Sequence, residues 1–249
     1  MDGLLIEDIS KHYMLKRHKT LKALSHVTLH IKPGEFVSLI GESGSGKSTL
    51  SKLIMGIEAP TSGQILLNGS PYSLAKTRNR KMIFKKIQAV FQDAGGTLNP
   101  KLSAYHNVEE ALVNLSHLNS AERKKRITEL MTLLEMDETL LNRRVSELSG
   151  GEQRRLSLLR ALAIKPEYLI LDEVVSGLDH QAIQRVEKLL LKCKEEFECG
   201  FLYITHHNKS AYRLSDRIMV LQEGHIIREG IVKSIDQENE QRILYKIGG

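Results

Sequence analysis

Gly41-Glu42-Ser43-Gly44-Ser45-Gly46-Lys47-Ser48-Thr49 lies between an apolar run, residues 36–40 (FVSLI), and a helix-like run, residues 48–56. It fits G-x-x-x-x-G-K-[ST] at Gly41, Gly46, Lys47 and Ser48, in the order strand, loop, helix that the pattern requires. Gly44 and Gly46 let successive backbone N–H groups turn inward as an anion nest, and the helix that follows presents its positive end. Lys47 has the reach for the β- and γ-phosphates of a nucleotide, and the Ser48 hydroxyl suits Mg²⁺. Nucleotide binding on an α/β scaffold is the first expectation.

Upstream, residues 4–9 (LLIEDI) and 24–31 (LSHVTLHI) read as strands of an N-terminal antiparallel patch, separated by a basic stretch that contains Tyr13. Tyr13 reads either as a half-buried residue at a sheet edge or as a flat face for an adenine ring. Downstream, residues 63–69 form a short strand bounded by turn chemistry, and residues 86–91 (KIQAVF) a buried strand ending at Gln92. A glutamine there has an amide oxygen to offer Mg²⁺ or the attacking water. Residues 104–141 turn helical, with Ser120 as a candidate cap of the second helix and Gly95-Gly96 as a flexible approach.

Residues 148–153 (LSGGEQ) open a further helix that runs to Ile164, with Ser149 as its cap and Gly150 and Gly151 allowing close backbone approach. Residues 168–173 (YLILDE) read as a central parallel strand whose C-terminal end opens on a ligand crevice. Asp172 then suits the Mg²⁺ shell, and Glu173 a water in line with the γ-phosphate. Residues 176–179 (SGLD) turn into a helix over 181–197, and the strand 201–205 ends at His206-His207, where an imidazole is placed to donate to the γ-phosphate. A hairpin around Glu223-Gly224 and a short helical tail close the chain.

The 249 residues leave ample core for one large α/β unit or two lobes. No apolar run approaches the ~18 residues of a membrane span, and the opening MDGLLIED has no basic n-region, so neither spanning nor export is expected. The two cysteines, Cys193 and Cys199, fit no ligand cluster, and a reduced compartment is inferred. The net charge of +6 is spread in clusters at residues 76–86 and 123–126, with no zinc spacing, RNA-recognition motif or basic heptads. Sequence-reading contact with nucleic acid is not expected.

Taken together these motifs resemble the ATP-binding subunits of ATP-binding-cassette (ABC) transporters, over essentially the whole chain. The phosphate loop, Gln92, the signature Leu148–Gln153, residues 168–173 and His206 fall in that family's order and approximate spacing. The resemblance implies a P-loop NTPase (RecA-like) mixed sheet with an N-terminal antiparallel patch and an inserted α-helical subdomain. It places a catalytic lobe at 1–96 and 150–249 and the helical subdomain at about 97–149 of a single domain. Residues Gly41 to Thr49 and Tyr13 would hold ATP, together with Ser149, Gly150, Gly151 and Glu152 of a second cassette, identical or sibling. Ser48, Gln92 and Asp172 would serve Mg²⁺; Glu173, His206 and Gln92 would act in hydrolysis. Residues 176–179 would touch the opposite subunit.

The segment 20–49 and the run Gln92-Asp93 followed by residues 97–100 (TLNP) are similar to the oligopeptide, dipeptide and nickel importer branch. The end at Gly249, without the longer extension of peptide-importing members, favours nickel, cobalt or metal-opine cargo over peptides. Two permease subunits and an extracytoplasmic solute-binding protein are the implied partners, at the cytoplasmic face of the membrane. The alternative of another class is a non-transport cassette ATPase acting on nucleic acid or ribosomes, but no coiled-coil insertion or tandem cassette is present. The sequence departs from the family at Val174-Val175 (commonly Pro-Thr), at Gly177 (commonly Ala) and at His207 (usually Asp).

Overall fold

A computed structural model describes residues 2–14, 19–72, 77–92 and 97–232, so Asp93, Gly95-Gly96 and the helical tail lie outside the described residues. In chain order the elements begin β1 (Leu4–Met14), β2 (Thr20–Ile31), β3 (Phe36–Ile40), α1 (Lys47–Ile54), β4 (Ser62–Leu67) and β5 (Ser70–Pro71). They continue with α2 (Thr77–Lys86), β6 (Ile87–Phe91), α3 (Ala104–Leu115), α4 (Ser120–Leu133), α5 (Gly150–Ala163) and β7 (Tyr168–Asp172). The last are α6 (His180–Glu196), β8 (Gly200–Thr205), α7 (Asn208–Leu214), β9 (Arg217–Gln222) and β10 (His225–Ile231). The fold is the mixed α/β arrangement expected, with antiparallel and parallel sheets.

The chain packs as two compact units, one formed by residues up to Tyr72 and from Gly200 onward, the other by the described residues between them. In the first unit, β1 pairs antiparallel with both β2 and β4. Here β1 and β2 run well beyond the expected 4–9 and 24–31. Asp8 and His26 adopt φ 52° beside register shifts at Ile6/Ile9, so β-bulges interrupt the period-two pattern from which strand length is read. The same unit holds β3 between parallel β8 and parallel β9, with β10 antiparallel on β9. All five residues of β3 and all six of β8 are buried, which is why both read as continuous apolar runs. Phe36 stacks on Phe201 across that pair, with ring centroids 4.9 Å apart.

The second unit pairs β6 with β7 in parallel and carries α2 to α6. Asn119, not Ser120, caps α4: its side chain accepts from Glu122 N, and Glu122 returns to Asn119 N at 2.7 Å. A capping box needs its acidic partner three residues on, and Glu122 stands three after Asn119. Ser149 caps α5 as expected. Two helices lack a clear sequence signal. The ten residues of α2 include five Lys or Arg and show little apolar periodicity, and the seven-residue α7 is shorter than periodicity resolves.

Candidate nucleotide site

In the first unit, buried β3 delivers the chain to a loop that reverses at Gly44 (φ 82°) and Gly46 (φ 110°), and α1 starts at Lys47. No side chain caps α1, so its first N–H groups stay directed at the loop. Glycine is required at Gly46 by two independent facts, its left-handed φ and a neighbour: a Cβ there would lie 2.5 Å from Ala23 O. At Gly41 a Cβ would lie 2.2 Å from Leu221 O. The Lys47 ammonium is tucked into the loop, donating to Gly41 O at 2.7 Å and Glu42 O at 2.8 Å. The Ser45 hydroxyl is buried without a hydrogen-bond partner, an orphaned donor inside an anion nest.

The brace of this loop carries no sequence motif. The Glu223-Gly224 turn of the β9–β10 hairpin donates Gly224 N to Ser45 O at 3.0 Å and accepts from Ser25 N at 2.9 Å. A cavity of about 560 Å³ opens over the loop, lined by Gly41 to Ser45, His206 and the β9–β10 strands. Thr205 pairs with Ile40 in the β3–β8 register, which sets the exposed His206 beside the loop that follows Ile40. The imidazole and the phosphate loop therefore share one cavity, although they lie far apart in sequence.

Tyr13, near the end of β1, is held by its hydroxyl, which donates to Glu58 Oε2 at 2.6 Å. Lys11 Nζ lies 4.9 Å from the centre of the Tyr13 ring and pairs with Glu58 at 3.3 Å. Burial first, and then the Glu58 carboxylate, push the Tyr13 hydroxyl above its usual range, while the Tyr13 hydrogen bond leads the causes that hold Glu58 low. The ring is therefore fixed at its polar end.

In the second unit, Gln92 follows β6 directly and donates through Nε2 to Ser176 Oγ at 3.1 Å. Asp172 ends β7 and is buried, and Glu173, one residue on, takes a left-handed φ of 54°. That conformation is uncommon for a non-glycine residue and turns the chain sharply at the strand end. The start of α5 is a closed capping box: Glu152 Oε2 accepts from Ser149 N at 2.7 Å and from Ser149 Oγ at 2.8 Å. Gln153 Nε2 donates to Val145 O and Leu148 O, which fixes the approach to that helix. A Cβ added at Gly150 or Gly151 would meet nothing within 4 Å, so nothing in this unit requires glycine at either position.

The ABC transporter family profile matches residues 24–176. The chain belongs to the ABC transporter family. It is 37% identical over 236 residues to the nickel import ATP-binding protein NikE of Escherichia coli O6:K15:H31, covering 93% of this chain and 88% of that protein. Among solved structures it is similar to the dimeric ABC transporter cassette MJ0796, with TM-score 0.83, 33% identity and coverage of 92% of this chain and 98% of that one. A post-hydrolysis state of MJ0796 bound to ADP and Pi matches with TM-score 0.82 and 32% identity over 92% of this chain and 98% of that one. CbiO1 from Clostridium perfringens, part of the transporter complex cbiONQ, matches with TM-score 0.83 and 28% identity over 100% and 97% of the two chains. The chain is thus the ATP-binding, ATP-hydrolysing part of an ABC transporter.

The structure accounts for the three departures from the family's pattern. Val174 and Val175 are buried, and apolar side chains there fill core. Gly177 has φ 73°, a conformation that alanine adopts at a cost of about 1 kcal/mol. His207 caps α7 in the manner of an aspartate, its Nδ1 accepting from Ser210 N at 3.3 Å.

Proposed function

We propose that this ABC ATPase powers an importer of nickel, cobalt or a small metal chelate, as one of two cassettes that dimerise head to tail. The observation that carries the dimer is the start of α5, a capped helix whose Gly150 and Gly151 face open space. An N-terminus of that kind suits a phosphate brought by another chain. The metal cargo is supported by the similarity to a nickel import ATP-binding protein over 93% of this chain. ATP would lie between residues 41–49 of one cassette and 149–153 of the other, with its base against Tyr13.

Glu173 would orient and deprotonate the attacking water, and His206 would hold the γ-phosphate from the cavity it shares with the loop. The residues that would hold Mg²⁺ offer hard oxygen donors, which fits that ion: the Ser48 hydroxyl, the Gln92 amide oxygen and the Asp172 carboxylate. When bound, Mg²⁺ neutralises charge developing on the phosphates. Residues 1–96 and 150–249 would act as the catalytic lobe and about 97–149 as the helical subdomain.

Closure would reach two permease subunits at the cytoplasmic face of the membrane through the segment after Gln92. Its described part is pinned by buried Asn107, which accepts from Asn99 N at 2.7 Å and donates to Ser103 O at 3.0 Å. Cargo would arrive at the permease from an extracytoplasmic solute-binding protein. No helix among the described residues is long and apolar enough to cross a membrane.

The test is purification of the tagged chain from detergent-solubilised membranes together with any permease it binds, followed by ⁶³Ni uptake in reconstituted vesicles. ATP-dependent nickel uptake is expected. Recovery with nucleic acid or ribosomes and without permease contradicts the reading, and uptake of oligopeptide with no nickel overturns the cargo.

A further inference from the structure

The second unit holds a cavity of about 370 Å³ walled in part by α5 and α6, and three arginines, Arg154, Arg155 and Arg185, are among the residues that line it. Leu178, Val186 and Leu189 give it apolar walls. Its acidic lining residue, Glu135, is in an ion pair with Lys192 at 3.6 Å. Glu152 is engaged by the Ser149 cap, whose hydrogen bonds hold its carboxyl low with a smaller contribution from the Arg155 charge. No ion pair to Arg154, Arg155 or Arg185 is present among the described residues. The Nε atoms of Arg154 and Arg155 are buried without a hydrogen-bond partner.

Two buried guanidinium nitrogens without a partner are costly, and a third arginine at the same space adds to the repulsion. Burial holds the Arg154 guanidinium below its usual range. An oxyanion removes this penalty, because the planar fork of arginine matches phosphate and carboxylate oxygens. The volume falls within the ~300–1,000 Å³ of small-molecule sites.

We propose that this cavity is a second anion site, separate from the phosphate loop, for a small organic phosphate with an apolar body. Because Gly151 lines the same cavity, its occupant would also bear on the helix start proposed to meet the second cassette. That consequence rests on the head-to-tail reading; the binding itself does not.

Phenyl phosphate serves as the probe, titrated calorimetrically into the full chain after the phosphate loop is saturated with ADP, whose own binding is measured first. One further site is expected. Its affinity should fall at least ~10-fold in Arg185→Gln, at an exposed position, and in Arg154→Gln, with ADP affinity and the thermal midpoint unchanged. Inorganic phosphate, which lacks the apolar body, and benzoate, which lacks the phosphate, run as separate arms and should bind more weakly. No binding beyond ADP, or binding indifferent to both arginine substitutions, overturns the proposal. So does loss of ATP-driven dimerisation in Arg185→Gln without any phenyl phosphate binding, since the arginines then serve a carboxylate of the second cassette. Failure of ADP to bind would instead count against the nucleotide site.

Discussion

Glu173→Gln is expected to lower ATP hydrolysis in the assembled transporter by ~10²-fold or more while leaving ATP binding intact. The amide keeps the size and the hydrogen-bonding reach of the side chain but cannot take a proton from water. The left-handed turn at Glu173, φ 54°, sets this carboxylate off from the β7 strand that ends at Asp172. Equilibrium binding of a fluorescent ATP analogue, run beside phosphate release, separates the two effects. Normal turnover by the variant would remove Glu173 from the chemistry.

Lys47→Ala is expected to act one step earlier, weakening nucleotide binding itself. The ammonium sits inside the loop on the carbonyls of Gly41 and Glu42, so its removal takes away both a charge for the phosphates and a tie across the turn. Charge-assisted hydrogen bonds of this kind contribute about 1.5–3 kcal/mol each, or roughly 10- to 150-fold in affinity. Titration with ADP and ATP measures it, and unchanged affinity for both would contradict the role given to the loop.

What is legible in the sequence is what local chemistry determines. The phosphate loop can be read because glycine spacing, lysine and flanking periodicities all fall within a few residues of one another. The α5 cap can be read because Ser149 and Glu152 form a closed local pattern. What escapes depends on contacts remote in the chain. The brace of Gly224 on Ser45 joins residues far apart, and neither carries a motif that announces it. The Glu58 anchor of Tyr13 likewise emerges only when β1 and the segment after α1 are folded together. The ends of β1 and β2 escape because bulges at Asp8 and His26 break alternation, and α2 because half of its residues are Lys or Arg and its apolar positions show little period.

The central claim is that each ATP is shared by the phosphate loop of one cassette and the Ser149 helix start of another. Mixing Lys47→Ala chains, with an intact helix start, and Ser149→Arg chains, with an intact loop, tests it most directly. The account predicts that each variant alone hydrolyses little ATP and that the mixture recovers activity roughly 10-fold or more above their sum, from dimers with one complete site. A mixture no more active than the sum of its separate components would contradict it.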